Sequence, residues 1–195
     1  MKHFITFEGI DGSGKTTVSK GVYERLKKDG YNVVLTFEPT DSFVGKCVKQ
    51  CVEEKCDPAT TALLFIADRV EHCKKIKRWL DQGKTVLCDR YADSTYAYQG
   101  AQLEGIIESP VQWLQELSKD FIFTPEKTFL FDINSVDALK RIRDREKLLF
   151  FEREEFLKKV RLNYLRLAEE ERFVVLDGKK QVDELIEECL CYILE

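Results

Sequence analysis

The sequence predicts an α/β fold: a doubly wound, five-stranded parallel sheet with helices on both faces. Five short apolar runs show almost no polar alternation, as strands covered on both faces do. Longer segments of helical period separate those runs. Gly30 and Gly83 stand just past two of these segments and just before strands, where helix-ending glycines belong. At 195 residues the chain fits one domain, residues 1–195. That length buries roughly 70% of the surface its unfolded form exposes, so no staple is needed. Its 44% hydrophobic, 34% charged and 11% aromatic residues exclude a disordered or collagen-like chain. A net charge of -4 argues against a broad nucleic-acid or anionic-membrane surface, and leaves room for a local basic pocket that takes a small anion.

The first strand, residues 4–7, runs straight into Gly9-Ile10-Asp11-Gly12-Ser13-Gly14-Lys15-Thr16-Thr17. This segment matches G-x-x-x-x-G-K-[ST] in full, between a strand and a helix expected over 15–29. Glycines let successive backbone N–H groups turn inward on an anion. The helix opening near Lys15 adds the positive end of its dipole. Lys15 supplies a mobile charge for β- and γ-phosphates, and Thr16 a hydroxyl for Mg²⁺. The plainer alternative is a glycine turn that holds no ligand.

The second strand is expected at 32–35. Cys47, Cys51 and Cys56 follow, but their spacing matches no zinc site and no fourth ligand is near. No secretory signal opens the chain, and no apolar run reaches 18 residues. An intracellular, reducing, cytoplasmic setting with seven free thiols is therefore expected. A helix over 58–82 places Leu63, Ile66, Val70, Cys73 and Leu80 on one stripe. The third strand, 85–88, ends in Asp89-Arg90-Tyr91. An Asp at a strand's carboxyl end sits where ligands bind and can hold Mg²⁺ or its waters. The adjacent Arg can fork onto an acceptor phosphate, and the competing reading of the pair is a surface ion pair. The chain is short for a motor, and it lacks the base-reading N-K-x-D of a GTPase switch and a D-x-x-G after the third strand.

Residues 100–125 read least clearly, with a short helical patch at Trp113, Leu114 and Leu117. A fourth strand at 127–131 precedes Leu139-Lys140-Arg141-Ile142-Arg143-Asp144-Arg145. On a helix Arg141 and Arg145 share a face and Arg143 does not. On a closing loop all three converge on transferring phosphate, and charge alone does not separate that from a solvated helix end. A helix over 152–171, a strand at 172–176 and a helix over 182–194 complete the pattern.

Taken together, these motifs resemble the thymidylate (dTMP) kinases, P-loop nucleoside-monophosphate kinases, from residue 4 to about 168. The resemblance rests on the segment from Phe7 to Thr17, Glu38-Pro39, Leu63-Leu64-Phe65-Ile66-Ala67-Asp68-Arg69, Asp89-Arg90-Tyr91, Ser94-Thr95-Tyr96-Ala97-Tyr98-Gln99-Gly100 and the run from Leu139 to Arg145. It implies ATP- and Mg²⁺-dependent phosphoryl transfer to dTMP, giving dTDP and ADP. By the same resemblance Phe65 stacks on thymine, Arg69 reaches its O4, and Thr95 and Gln99 bond the base edge. Tyr98 lies against the deoxyribose, and Asp11 faces the acceptor's sugar hydroxyl and phosphate side. Glu38 belongs to the acceptor site, and Arg90 binds the acceptor phosphate. Lys15, Asp89, Arg90, Arg141, Arg143 and Arg145 carry the catalytic charge, and Thr16 and Asp89 hold the metal.

Gly12 stands where some relatives carry a basic residue, so the sequence resembles the kind whose catalytic arginines lie in a lid, here about 141–151. Two departures stand out. Phe37 replaces the Arg that bacterial relatives carry before Glu-Pro, and Thr40 lies where eukaryotic relatives have one. One acceptor-phosphate contact then falls to Lys46 or the lid. Leu176-Asp177-Gly178 stands where an adenine-binding loop follows the last strand. The family is usually dimeric, so a homodimer is expected, and the 58–82 helix is its candidate interface; a buried helix of a monomer would read the same. Nucleic acid and membrane are not expected as partners. The rival functions are a kinase of the same fold for another nucleotide or deoxynucleoside, and an ATP-binding regulator with no acceptor.

Overall fold

A computed structural model describes residues 3–142 and 154–194. Five strands, β1 (Phe4–Glu8), β2 (Val33–Phe37), β3 (Thr85–Asp89), β4 (Lys127–Asp132) and β5 (Phe173–Asp177), form one parallel sheet in the order β2-β3-β1-β4-β5. Among the described residues, eight helices connect and flank them: α1 (Lys15–Lys28), α2 (Phe43–Glu53), α3 (Pro58–Asp81), α4 (Ala92–Gln102), α5 (Pro110–Ser118), α6 (Ser135–Ile142), α7 (Glu154–Leu167) and α8 (Val182–Leu194). This is the doubly wound parallel α/β architecture that the sequence predicts.

Strand alternation divides the core between the two faces. Phe4, Val86 and Cys88 pack with Ala62, Ile66, Cys73 and Ile76 of α3 and with Tyr96 of α4. Their neighbours Ile5, Phe7, Leu87, Phe129 and Phe131 point the other way, onto Val18, Val22 and Leu26 of α1 and Leu185, Cys189 and Ile193 of α8. Each fully buried Leu, Ile or Phe contributes roughly 1.5–3 kcal/mol, so both layers are held by the same central strands. A third cluster, with Tyr98 of α4, Leu130 of β4 and Leu157, Val160 and Tyr164 of α7, closes the top of the sheet.

The chain moves from β1 outward to β2, returns to β3, then crosses to β4 on the far side of β1. Ligand crevices in such sheets open where the winding reverses, outside the carboxyl ends of the strands. The Gly9–Thr16 segment leaves β1 there, and Arg90 leaves β3 beside it.

Gly30 and Gly83 take φ of 84° and 73° past α1 and α3, as their positions predict. The α3 stripe departs from expectation. Leu63 is 50% exposed, while Asp68, Arg69 and His72 are buried on the same helix. These polar groups are buried because each is paired. Asp68 accepts from Thr40 N (2.7 Å), Thr40 Oγ1 (2.6 Å) and Ser42 Oγ (2.9 Å), and so ties the loop after β2 to α3. Ser42 in turn caps α2, accepting from Gly45 N at 2.9 Å. In Asp68→Ala the Thr40 N–H loses its acceptor, at a cost of about 2–3 kcal/mol. Thermal unfolding should show Tm lowered by roughly 4–10 °C.

Candidate active site

The glycine segment after β1 forms a cradle. Gly9, Gly12 and Gly14 have φ of 145°, 83° and 95°, values that L side chains rarely adopt. A Cβ on Gly12 would lie 2.4 Å from the Ala138 carbonyl oxygen of α6, so the position has no room for a side chain. Gly14 caps α1 with backbone alone. The first-turn residues Lys15, Thr16 and Thr17, with Asp11, Gly12, Ser13 and Gly14, line a cavity of about 410 Å³. Unpaired N–H groups and the positive end of the α1 dipole make such a site suited to phosphate. Lys15 is only 5% exposed. Its Nζ donates to Ile10 O at 3.4 Å and lies 3.6 Å from the Asp11 carboxylate. Burial, and then the charge of Arg90, pull the Lys15 ammonium down to about 8. A phosphate beside Nζ reverses such a shift.

The far wall of this cavity comes from Arg141, Gly178, Lys179, Lys180, Gln181, Val182 and Leu185. Arg141 donates to Gly178 O (2.9 Å) and Gly12 O (3.4 Å), which joins α6 to the cradle and to the turn after β5. Lys179 pairs with Asp137 at 2.9 Å, and hydrogen bonds from Lys179 and Asn134 hold the Asp137 carboxyl down at about 2.

A second cavity of about 240 Å³ is lined by Pro39, Lys49, Val52, Glu53, Phe65, Ser94, Tyr98 and Gln99. Asp11 and Arg90 line both cavities. Arg90 has φ 68°, left-handed for a non-glycine residue. It donates to the Asp11 carboxylate, to Ser94 Oγ (3.1 Å) and to Gly9 O (3.4 Å), and stacks 5.1 Å from the Tyr98 ring centroid. The Tyr98 hydroxyl accepts from Asp11 N at 2.9 Å. Burial alone would raise the Asp11 carboxyl, but Arg90 and Lys15 more than offset it and hold it below its usual range.

Behind these cavities lie two buried polar networks. Arg69 donates Nε to Glu38 (2.9 Å) and Nη2 to Thr95 Oγ1 (2.7 Å) and Tyr91 O (3.1 Å), while its Nη1 has no partner. His72 joins Glu38 (2.9 Å) to Thr36 (2.7 Å). Glu8 is the centre of the other network. It accepts from Tyr91 N (2.7 Å), Ser94 Oγ (2.6 Å) and Tyr164 OH (2.9 Å). Asp89 Oδ1 is buried with no hydrogen-bond partner. Together with the Thr16 hydroxyl it supplies the hard oxygen donors that Mg²⁺ shares with phosphates, so the residues present fit that ion.

The structure thus brings Phe65, Tyr98, Gln99, Asp11 and Arg90 to one cavity, and Gly12, Ser13, Gly14, Lys15, Thr16, Thr17 and Arg141 to the other. Glu38, Arg69 and Thr95 are bonded to one another and do not line either cavity. Arg143, Arg145 and most of the expected lid lie outside the described residues. Lys46 is exposed and lines neither cavity; Lys49, one helical turn on, lines the second, paired with Asp41 at 2.7 Å. Thr40 is committed to Asp68. Lys49, Ser94 and Glu8 were not singled out from the sequence. Only the three-residue spacing from Lys46 pointed to Lys49.

Burial, and then the charge of Asp93, push Glu8 up from 4.5 to about 7. A carboxyl raised on folding binds more protons when native, so stability falls as pH rises from about 4.5 through 7. A shift of this size is worth a few kcal/mol. Glu8→Gln lacks this titration. Across pH 5 to 7.5, the Tm of the parent protein should fall relative to that of the variant, and parallel curves would contradict the assignment.

A family model described as "Thymidylate kinase" matches residues 7–189. A "Probable thymidylate kinase" of Methanosarcina mazei is 40% identical over 195 residues, covering 98% of this chain and 95% of the relative. One of Sulfurisphaera tokodaii is 42% identical over 189 residues, covering 96% and 93%. One of Methanosarcina acetivorans is 43% identical over 178 residues, covering 89% and 86%. With a phosphate cradle and an apolar pocket meeting at Asp11 and Arg90, and with relatives matched along nearly its whole length, this chain belongs to the thymidylate kinase family of nucleoside-monophosphate kinases.

Proposed function

We propose that the protein transfers the γ-phosphoryl group of ATP to dTMP, giving dTDP and ADP. One observation carries the reading: a polar cavity built around a phosphate cradle and a second cavity with an aromatic wall share Asp11 and Arg90 at their junction. Two ligands placed in them would meet phosphate to phosphate. Phosphoryl transfer needs little covalent chemistry from the protein; positioning and positive charge supply most of the rate.

In this reading Lys15 and the backbone N–H groups of the cradle hold the donor phosphates. Residues 178–182 and Leu185, at the far end of the same cavity, border the adenosine. Phe65 stacks on the pyrimidine. Gln99 donates its amide N–H to Gln102 at 3.2 Å, which leaves its carbonyl oxygen for the base edge. The ring of Tyr98 occupies the space a ribose 2′-hydroxyl would need. Arg90 grips the acceptor phosphate, with Asp11 and Ser94 fixing its direction, and Lys49 adds charge on the opposite side. Glu38, Arg69 and Thr95 back this wall; the unpartnered Nη1 of Arg69 is the donor left for the base's O4. Thr16 and, through water, Asp89 would hold Mg²⁺, which supplies neutralising charge across the β- and γ-phosphates. Arg141, with Arg143 and Arg145, completes the cationic lid. The acceptor phosphate oxygen is itself the nucleophile, so no group on the protein is phosphorylated. A homodimer working in cytoplasmic nucleotide synthesis, toward dTTP, completes the reading. The exposed Leu63 on α3 is consistent with such a dimer.

ADP release, coupled to NADH oxidation and followed with dTMP, dUMP, dCMP, AMP and GMP as acceptors, tests the reading. Turnover should be highest with dTMP or dUMP, and a different best acceptor, or none, would defeat it. Arg90→Ala should lower kcat/KM for dTMP well beyond tenfold, the scale seen for phosphate-clamping arginines. A smaller loss would remove Arg90 from the role. Tyr98→Ala should narrow the preference for dTMP over its ribose counterpart, measured as the ratio of the two kcat/KM values. An unchanged ratio would end the sugar-gate assignment.

A further inference from the structure

A third cavity, of about 180 Å³, lies behind the acceptor pocket and is lined in part by Cys51, Cys56, Thr61 and Gln102. It sits at the carboxyl end of α2, which closes in a specific way. The Cys56 N–H bonds to Cys51 O (3.0 Å), the Lys55 N–H bonds to Val52 O (3.2 Å), and Lys55 is left-handed at φ 55°. This nested pair of bonds is the Schellman closure, and it brings the side chain three residues inside the helix end against the one two residues beyond its cap. That contact usually joins two apolar groups. Here both positions are cysteine. Cys51 Sγ lies 3.6 Å from Thr61 Oγ1, and the neighbouring Cys51 thiol holds the Cys56 thiol above its usual range, so exchange at Cys56 needs mildly alkaline solution. Cys51 is buried, Cys56 is half-buried at the cavity, and all seven cysteines are free.

We propose that Cys51 and Cys56 form a thiol–disulfide exchange site, oxidised by a small disulfide such as oxidised glutathione to an internal disulfide across the end of α2. Cys56 loses its proton to solvent, and its thiolate attacks one sulfur of the reagent. A mixed disulfide forms and one reagent thiolate leaves. Cys51 then gives up its proton, attacks the Cys56 sulfur and expels the second reagent thiolate. Two protein thiols are oxidised by two electrons, and the reagent is reduced to two thiols. The 6→1 backbone bond from Cys56 N–H to Cys51 O holds the two residues adjacent, the proximity that a disulfide needs. Val52 lies between the cysteines in sequence and lines both this cavity and the acceptor pocket, so the bond would fix one wall of that pocket.

The test uses the full chain incubated with oxidised glutathione at pH 8.5, then capped with N-ethylmaleimide and digested with trypsin without reduction. Cleavage at Lys49, Lys55 and Arg69 puts Cys51 in peptide 50–55 and Cys56 in peptide 56–69. The proposal requires these two peptides to appear joined, at a mass 2 Da below their sum, and to separate on reduction. It also requires Cys51→Ser to stop at a glutathione adduct on Cys56. The proposal fails if the two peptides of the parent protein carry only N-ethylmaleimide or glutathione, or if Cys51 is found joined to Cys47.

Discussion

At the head of the sheet, one buried carboxylate ties together three parts of the chain. Glu8 ends β1, accepts the Tyr91 N–H just after the left-handed Arg90, and receives the hydroxyls of Ser94 on α4 and Tyr164 on α7. Its three donors come from residues 83, 86 and 156 positions away in sequence. Removing any one of them would leave a polar group buried without its partner. Ser94 passes the constraint onward, since the oxygen that donates to Glu8 also accepts from Arg90. The direction of the guanidinium at the junction of the two cavities is thus set in the interior, not at the surface.

Charge is distributed around that junction with a deliberate asymmetry. Lys15 and Arg90 share one ion-pair partner, Asp11, between them. Deeper in, Arg69 is matched by Glu38, and Arg172 is matched by Asp93 at 2.8 Å. A buried cation whose partner is shared rather than its own favours an incoming anion, because the ligand completes a pairing the protein leaves partial. Cavity-facing Lys49 and Lys179 also have carboxylate partners, Asp41 and Asp137, so Lys15 and Arg90 stand apart in sharing theirs.

The sheet was legible because its strands are covered on both faces and so lack polar alternation. The cradle was legible because its chemistry is local, with every residue it needs within nine positions. Helix α4 was not legible as a helix. Nine of its residues are buried, including Asp93, Thr95 and Gln99, so it has no polar face to produce a period. On α3 the stripe places Ile66, Cys73 and Leu80 in the core, but Leu63 is exposed and buried polar groups join the inward face. Asp68, Arg69 and His72 point inward because partners from β2, the loop after it and α4 neutralise or bond them, and no pattern within the helix announces those partners. Of the site, Phe65, Tyr98, Gln99, Asp11 and Arg90 converge as the motifs implied. Lys49 escaped notice because α2 itself was unread, and Glu8 because its role exists only once three distant segments meet.

The tight seat of Gly12 against α6 has a consequence for how this chain can diversify. With the Ala138 carbonyl where a side chain at position 12 would begin and Arg141 braced on the Gly12 carbonyl, the lip of the cradle and the second half of α6 are a single mechanical part. Any substitution that built outward from position 12 would have to lever α6 away. Drift can therefore relocate positive charge along α6 and beyond it, while the alternative of growing a cation from position 12 is sterically foreclosed.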